Sequence, residues 1–210
     1  MRTYDPARPP AASGRGNGFV LYLEGAGDRA ILDGWCRRLL PAQARKLAKS
    51  VVILGGRQPA RAVEHFRALG GAEAGRRALC VLDRDEGHPD EPESLEPGLE
   101  FFTWGRRHIE SYLLVPAAIS RGMGLRESDA RVDRALSGHL PPRGDDAAWQ
   151  ELDAKRLLGR RGPVARSLGA PIPLARVARA TRVSELHADV HHCFSHLHRG
   201  LGIVEATIVR

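Results

Sequence analysis

Twice in this chain five apolar residues run directly into an acidic segment, and that pattern limits the possible folds more than any other feature. Gly18 leads Phe19, Val20, Leu21, Tyr22 and Leu23 into Glu24-Gly25-Ala26-Gly27-Asp28. Ala78, Leu79, Cys80, Val81 and Leu82 lead into Asp83-Arg84-Asp85. Apolar runs of this length, bounded by turn residues, read as buried strands. In an open parallel sheet the carboxyl ends of the strands share one edge, and ligands bind there. Three or four carboxylates gathered at one edge repel each other unless a cation lies between them. An oxygen-only donor set of this kind suits Mg²⁺ or Mn²⁺, one ion or two. The pattern therefore implies a divalent cation and, with it, phosphate chemistry.

The surrounding sequence supplies the rest of such a sheet. Residues 51–54 form a short buried strand ended by Gly55-Gly56, and residues 99–103 form a fourth. Asp28 can cap a helix carrying Ile31, Leu32, Trp35, Leu39 and Leu40 at helical spacing. A second helix runs from Pro59 to about Leu69, with Ala62, Val63, Phe66 and Leu69 on one side, and stops at Gly70-Gly71. Strands alternating with helices predict an α/β fold, a parallel sheet of about four strands flanked by helices and joined by right-handed crossovers. An acidic, proline-containing loop fills residues 86–98. Beyond it only helices are expected: a short one over 107–114, one opened by Pro116, and others over 127–136, 145–158 and 174–197. The organisation expected is a mobile arm over 1–16, rich in Pro, Gly and Ser, an α/β core over 17–115, and a helical extension over 116–210. That extension would complete the site and carry a basic face.

With 210 residues, 42% of them hydrophobic, the chain can build a real core. No apolar run approaches the length needed to cross a bilayer, and no apolar stretch follows Arg2 as a secretory signal would require. Cys36, Cys80 and Cys193 are odd in number and without a CxxC, which fits a reducing cytoplasm and supplies no zinc site. The net charge of +7 is unevenly spread. Residues 83–100 hold eight acids against one arginine, whereas residues 154–182 hold eight Lys or Arg and no acid. A basic surface beside an acidic, metal-binding edge suits an enzyme acting on a polyanion, so nucleic acid, DNA or RNA, is the expected partner.

Asp83 and Asp85 are two residues apart, so in an extended segment their carboxylates face one side while Arg84 faces the other. Removing either is expected to relieve repulsion and leave the fold intact or more stable. Gly25 and Gly27 would keep the backbone low beside Glu24 for a phosphate to approach. Asp28 can either cap its helix or reach the metal. Arg57, Arg106 and Arg107 are candidate phosphate contacts, as are Arg160, Arg161 and Arg166 in the acid-free stretch. The pairs His187/His191 and His192/His196 stand four apart and could chelate, but no Cys or carboxylate completes a familiar zinc set.

The Glu24-Gly25-Ala26-Gly27-Asp28 turn and the Asp83-Arg84-Asp85 motif resemble those of the Toprim domain, the α/β module of primases, topoisomerases and some nucleases. Trp104 to Leu114, with Ile109-Glu110-Ser111-Tyr112-Leu113-Leu114 at its end, looks like the corresponding segment of the DUF4435 and OLD-family branch. The resemblance spans roughly residues 18–160. It implies a nuclease in which Glu24, Asp83, Asp85 and Lys155 are catalytic, and Glu24, Asp28, Asp83, Asp85 and Glu110 hold metal. Glu110 would be the additional acid of a two-metal site. Lys155, in Ala154-Lys155-Arg156-Leu157-Leu158, would be a cation beside the scissile phosphate. The branch further implies antiphage defence and an ABC-type ATPase. This chain has no GxxxxGK[ST] motif, so the ATPase is expected as a separate partner. Two rivals stand beside this reading. One is an aspartyl-phosphate phosphatase, which would leave Glu24 without a role. The other is a non-catalytic subunit that binds metal or nucleic acid and regulates an ATPase.

Overall fold

The computed structural model describes residues 18–84 and 96–203. The expected arm over 1–16, most of the acidic loop and Asp85 lie outside the described residues. Four strands form one sheet: β1 (Phe19–Leu23), β2 (Val51–Ile53), β3 (Arg77–Leu82) and β4 (Leu99–Thr103). Their order is β2-β1-β3-β4, and every pairing is parallel. Alternation sends the residues of each strand to opposite faces. Phe19, Leu21, Leu23, Leu79, Val81 and Phe102 enter one apolar cluster, and Val20, Tyr22, Ala78, Cys80, Leu82 and Phe101 enter another. The strands are apolar without interruption because both faces are covered.

Helices α1 (Ala26–Leu39) and α2 (Ala44–Ser50) lead from β1 to β2, and α3 (Pro59–Ala68) leads from β2 to β3. Ile31, Leu32 and Trp35 of α1 pack into the first cluster, while Ala62 and Phe66 of α3 pack into the second. The chain thus leaves β1 for one neighbour and returns to the other side, along opposite faces of the sheet. The order reverses between β1 and β3, which is where open α/β sheets leave a crevice.

The remaining helices are α4 (Pro116–Met123), α5 (Ala130–Ser137), α6 (Asp146–Glu151), α7 (Ala154–Leu158), α8 (Pro163–Leu168), α9 (Leu174–Ala180) and α10 (Ala188–Gly200). Their apolar residues, among them Val132, Leu158, Val164, Val177 and Phe194, join the first cluster. The helical extension is therefore built onto one sheet face. Helix α9 lies so close to α1 and α4 that a β-carbon at Gly34 would sit 2.8 Å from Ala178 Cβ, and one at Gly122 2.7 Å from Val177 Cγ2.

Three expected helices differ from those found. Residues 145–158 divide into α6 and α7, because Leu152 turns extended and the Asp153 carboxylate accepts the Arg156 N–H to start a new helix. Residues 174–197 divide at Thr181, whose backbone is extended, and α10 starts only after His187 caps it by accepting the Asp189 N–H. The expected helix over 107–114 is a 3₁₀ turn, Ile109–Leu113. Helices α2 and α8 arise where no helix was expected. Among the described residues no helix is long and apolar enough to cross a membrane.

Candidate functional site

Glu24 and Asp83 meet at the point where the strand order reverses. The Asp83 N–H donates to Glu24 Oε1 at 2.7 Å, tying the ends of β1 and β3 together. The Glu24 carbonyl accepts the N–H groups of Gly55 and Gly56, both at 3.0 Å, which draws in the loop after β2. Gly55 and Gly56 have φ of +84° and +131°, a region that favours glycine. The turn they make brings Arg57 to the edge, where its guanidinium donates to the Asp83 carbonyl. Arg57 therefore lies at the crevice, holding the backbone of Asp83.

Asp83 is 4% exposed. Its Oδ1 accepts the Ile109 N–H at 3.0 Å and so caps the 3₁₀ turn. That turn carries Glu110 to the same edge. Its apolar neighbours Ile109, Tyr112 and Leu113 are buried and anchor it. Glu110 is itself 5% exposed, and its Oε2 is buried with no hydrogen-bond partner. Burial pushes its carboxyl up from 4.5 to about 7, and the nearby charge of Asp83 adds to the rise.

Asp28, in the first turn of α1, accepts the Gly25 N–H through Oδ2 at 2.7 Å. The capping role is thus present in the structure. Burial again raises its carboxyl, to about 6, with Asp83 the next cause. A β-carbon at Gly25 would make only ordinary contacts, and one at Gly27 would meet nothing. The backbone itself does not demand glycine at either place; the open space at Gly27 lies at the exposed start of α1.

Lys155 reaches the edge from α7, its Nζ 3.6 Å from Asp83 Oδ2. Its side chain is 58% exposed. Burial works against its charge, but Asp83, Glu110 and Asp28 outweigh that and raise its pKa. Two residues that the sequence reading missed position it. Asp153 caps α7, and its Oδ1 lies 3.7 Å from Nδ1 of the buried His108, which immediately precedes the 3₁₀ turn. An acid directly before Ala154-Lys155-Arg156-Leu157-Leu158 is an N-cap signal. It was hidden by reading 145–158 as one helix.

Arg84, expected to face away from the aspartates, points to α6, donating to Glu151 at 3.0 Å. Arg106 packs its guanidinium between Tyr112 and Trp149, at 5.4 and 4.7 Å, and donates to the Ser111 carbonyl. These contacts fix the half-buried Arg106 side chain against the aromatic rings. Arg107 uses its backbone to join Arg84 and Gln150. Arg160, Arg161 and Arg166 are exposed, with Arg166 donating to the Arg161 carbonyl. The acid-free stretch is not one free face, since Arg182 pairs with Glu127 at 2.7 Å.

The donors gathered here are hard oxygens, and the orphaned Glu110 oxygen together with two raised carboxyls fits a cation such as Mg²⁺ or Mn²⁺. Among the described residues no three His, Cys, Asp or Glu side chains by themselves form a group that could hold a metal ion. Asp85, the remaining acid of the motif, is outside them.

No family model matches the sequence, and no curated protein matches it. Among solved structures, the C-terminal region of the OLD protein of Xanthomonas campestris pv. campestris is similar, with a TM-score of 0.47 and 16% identity over 89% of this chain and 96% of that one. A likeness of this degree does not assign the chain to a family. The fold itself is α/β, with a four-stranded parallel sheet, and is consistent with a Toprim-like arrangement.

Proposed function

We propose that this chain is a Mg²⁺- or Mn²⁺-dependent nuclease that hydrolyses phosphodiester bonds in DNA or RNA. The observation that carries the reading is the buried set Asp28, Asp83 and Glu110 at the carboxyl edge, mutually repelling and with a Glu110 oxygen unpartnered. Such a set costs stability unless a cation compensates it. When bound, a divalent ion supplies Lewis acidity and an activated water. Asp83, Glu110, Asp28 and Asp85 are the oxygens that would hold it. Glu110, with its carboxyl near 7, can hold or release a proton at neutral pH. Lys155, exposed at the rim, offers a positive charge to the phosphate oxygens. On the same α7–α8 segment, exposed Arg156, Arg160, Arg161 and Arg166 continue that charge outward, which favours a polyanion over a small phosphate ester.

The test is incubation of the purified chain with DNA and with RNA, in Mn²⁺, in Mg²⁺ and in EDTA. Cleavage is expected with metal, none in EDTA, and none from Asp83→Asn. Cleavage that persists in EDTA would overturn the proposal.

One observation favours a second reading. Glu24, Asp28 and Asp83 each use an oxygen on a backbone N–H, and the described acids do not close a metal cage. A non-catalytic subunit, binding metal or nucleic acid and regulating a separate ATPase, needs nothing more. It predicts Mn²⁺-dependent binding of nucleic acid without turnover. The family resemblance extends the first reading to an antiphage effector working with an ABC-type ATPase, which co-purification from the native host would test.

A further inference from the structure

The two histidine pairs that look alike in the sequence are not alike in the fold. His187 precedes α10, accepts the Asp189 N–H through Nδ1, and packs against the Tyr112 ring. His192 and His196 both lie within α10, one turn apart, with their Nε2 atoms 3.3 Å from each other. Both rings rest edge-on against Phe102 of β4, at centroid distances of 5.7 and 5.6 Å. Their orientation is therefore set by packing as well as by helix geometry.

The other nitrogen of His196 is fixed too. Nδ1 lies 2.9 Å from Oε2 of Glu100, the second residue of β4. In the tautomer with the proton on Nδ1, that proton goes to the carboxylate and the lone pair stays on Nε2, toward His192. Arg199 Nη2, 3.0 Å from the same Nδ1, donates to it in the other tautomer and forms an ion pair with Glu100 at 3.7 Å; an ion bound at Nε2 requires the first tautomer, with Glu100 as the acceptor. This is the arrangement by which carboxylates orient metal-bound histidines. Two imidazoles on one tetrahedral ion, each bonded at ~2.0–2.1 Å, hold their nitrogens ~3.3 Å apart. The spacing seen matches that value.

We propose that His192 and His196 chelate one borderline divalent ion, Zn²⁺, Ni²⁺ or Cu²⁺, with Glu100 orienting His196 from β4. Among the described residues no third His, Cys or carboxylate joins them, so water completes the coordination and the ion exchanges readily. Glu100 pairs in register with Leu79, near the start of β3, so this site lies toward the amino ends of the strands. It is separate from the hard-oxygen edge and selects a different class of metal. Bound there, the ion links two turns of α10 and, through Glu100, holds that helix to the sheet.

Zinc titration of the full chain by calorimetry, in excess Mg²⁺ to occupy the oxygen edge, tests this. Wild type should bind Zn²⁺ with an affinity that falls at least ~10-fold in His192→Gln and in His196→Gln. Glu100→Gln should lose ~10-fold or more, as outer partners of metal-bound histidines do. His191→Gln and His198→Gln should bind as wild type. Zinc should raise the melting temperature of wild type and not that of His192→Gln, whose exposed position keeps the fold intact. Equal Zn²⁺ affinity in wild type and His192→Gln, or an equal loss in His191→Gln, would overturn the proposal.

Discussion

At Glu110, folding and chemistry pull in opposite directions. The 3₁₀ turn buries its carboxylate, and burial with the Asp83 charge lifts it from 4.5 to about 7, as Asp28 is lifted from 3.8 to about 6. Both groups hold a proton more tightly folded than unfolded. Their contribution to stability is thus fully present below pH ~4 and is lost as pH rises through about 6 and 7. The metal-free protein should become less stable between pH 4 and 8, by on the order of 3 kcal/mol per group. Glu110→Gln should remove one share of that slope in urea melts and should raise the Mn²⁺ needed for cleavage; a slope unchanged by the substitution would contradict the burial argument. Asp83 corrects the simpler expectation that losing a carboxylate only relieves repulsion. Its Oδ1 caps the buried Ile109 N–H, so Asp83→Ala should cost about 1–3 kcal/mol by leaving that donor unsatisfied, whereas Asp83→Asn keeps an acceptor. Comparing the two melts separates the cap from the charge.

Among the elements, the strands were legible because a parallel sheet covered on both faces requires uninterrupted apolar runs, and the ends of β1 and β3 followed from them. The crevice was legible only as a consequence: the strand order that sets Glu24 against Asp83 depends on crossovers, which local pattern does not specify. Helix boundaries failed where side chains made the breaks. No glycine or proline marks the start of α7 or α10; Asp153 and His187 do it by capping. Lys155 was found through resemblance, not through spacing, and its placement rests on the Asp153 cap. Asp153→Ala should therefore cost about 1 kcal/mol and lower the cleavage rate, with Asp153→Ser restoring much of both. Lys155→Met should differ. The lysine side chain is 58% exposed but its partner Asp83 only 4%, so the variant leaves a buried carboxylate less compensated: stability should fall at neutral pH and recover as the carboxyls are protonated, while cleavage falls throughout.

For the whole molecule, the described carboxylates Asp28, Asp83 and Glu110 meet Lys155 of the acid-free stretch at one edge. Nucleic-acid binding should weaken with salt at a log–log slope of about −0.7 to −0.9 per phosphate neutralised, and Glu at Arg160, Arg161 and Arg166 together should flatten it. An unchanged slope would mean that these exposed arginines are only solvated. Everything else depends on a cation at the carboxyl edge. Manganese binding followed by electron paramagnetic resonance, in wild type and in Asp83→Asn, measures that directly. The geometry predicts that wild type binds Mn²⁺ and that Asp83→Asn, still folded because it keeps an acceptor for the Ile109 N–H, loses it. Equal Mn²⁺ binding by both proteins would contradict it.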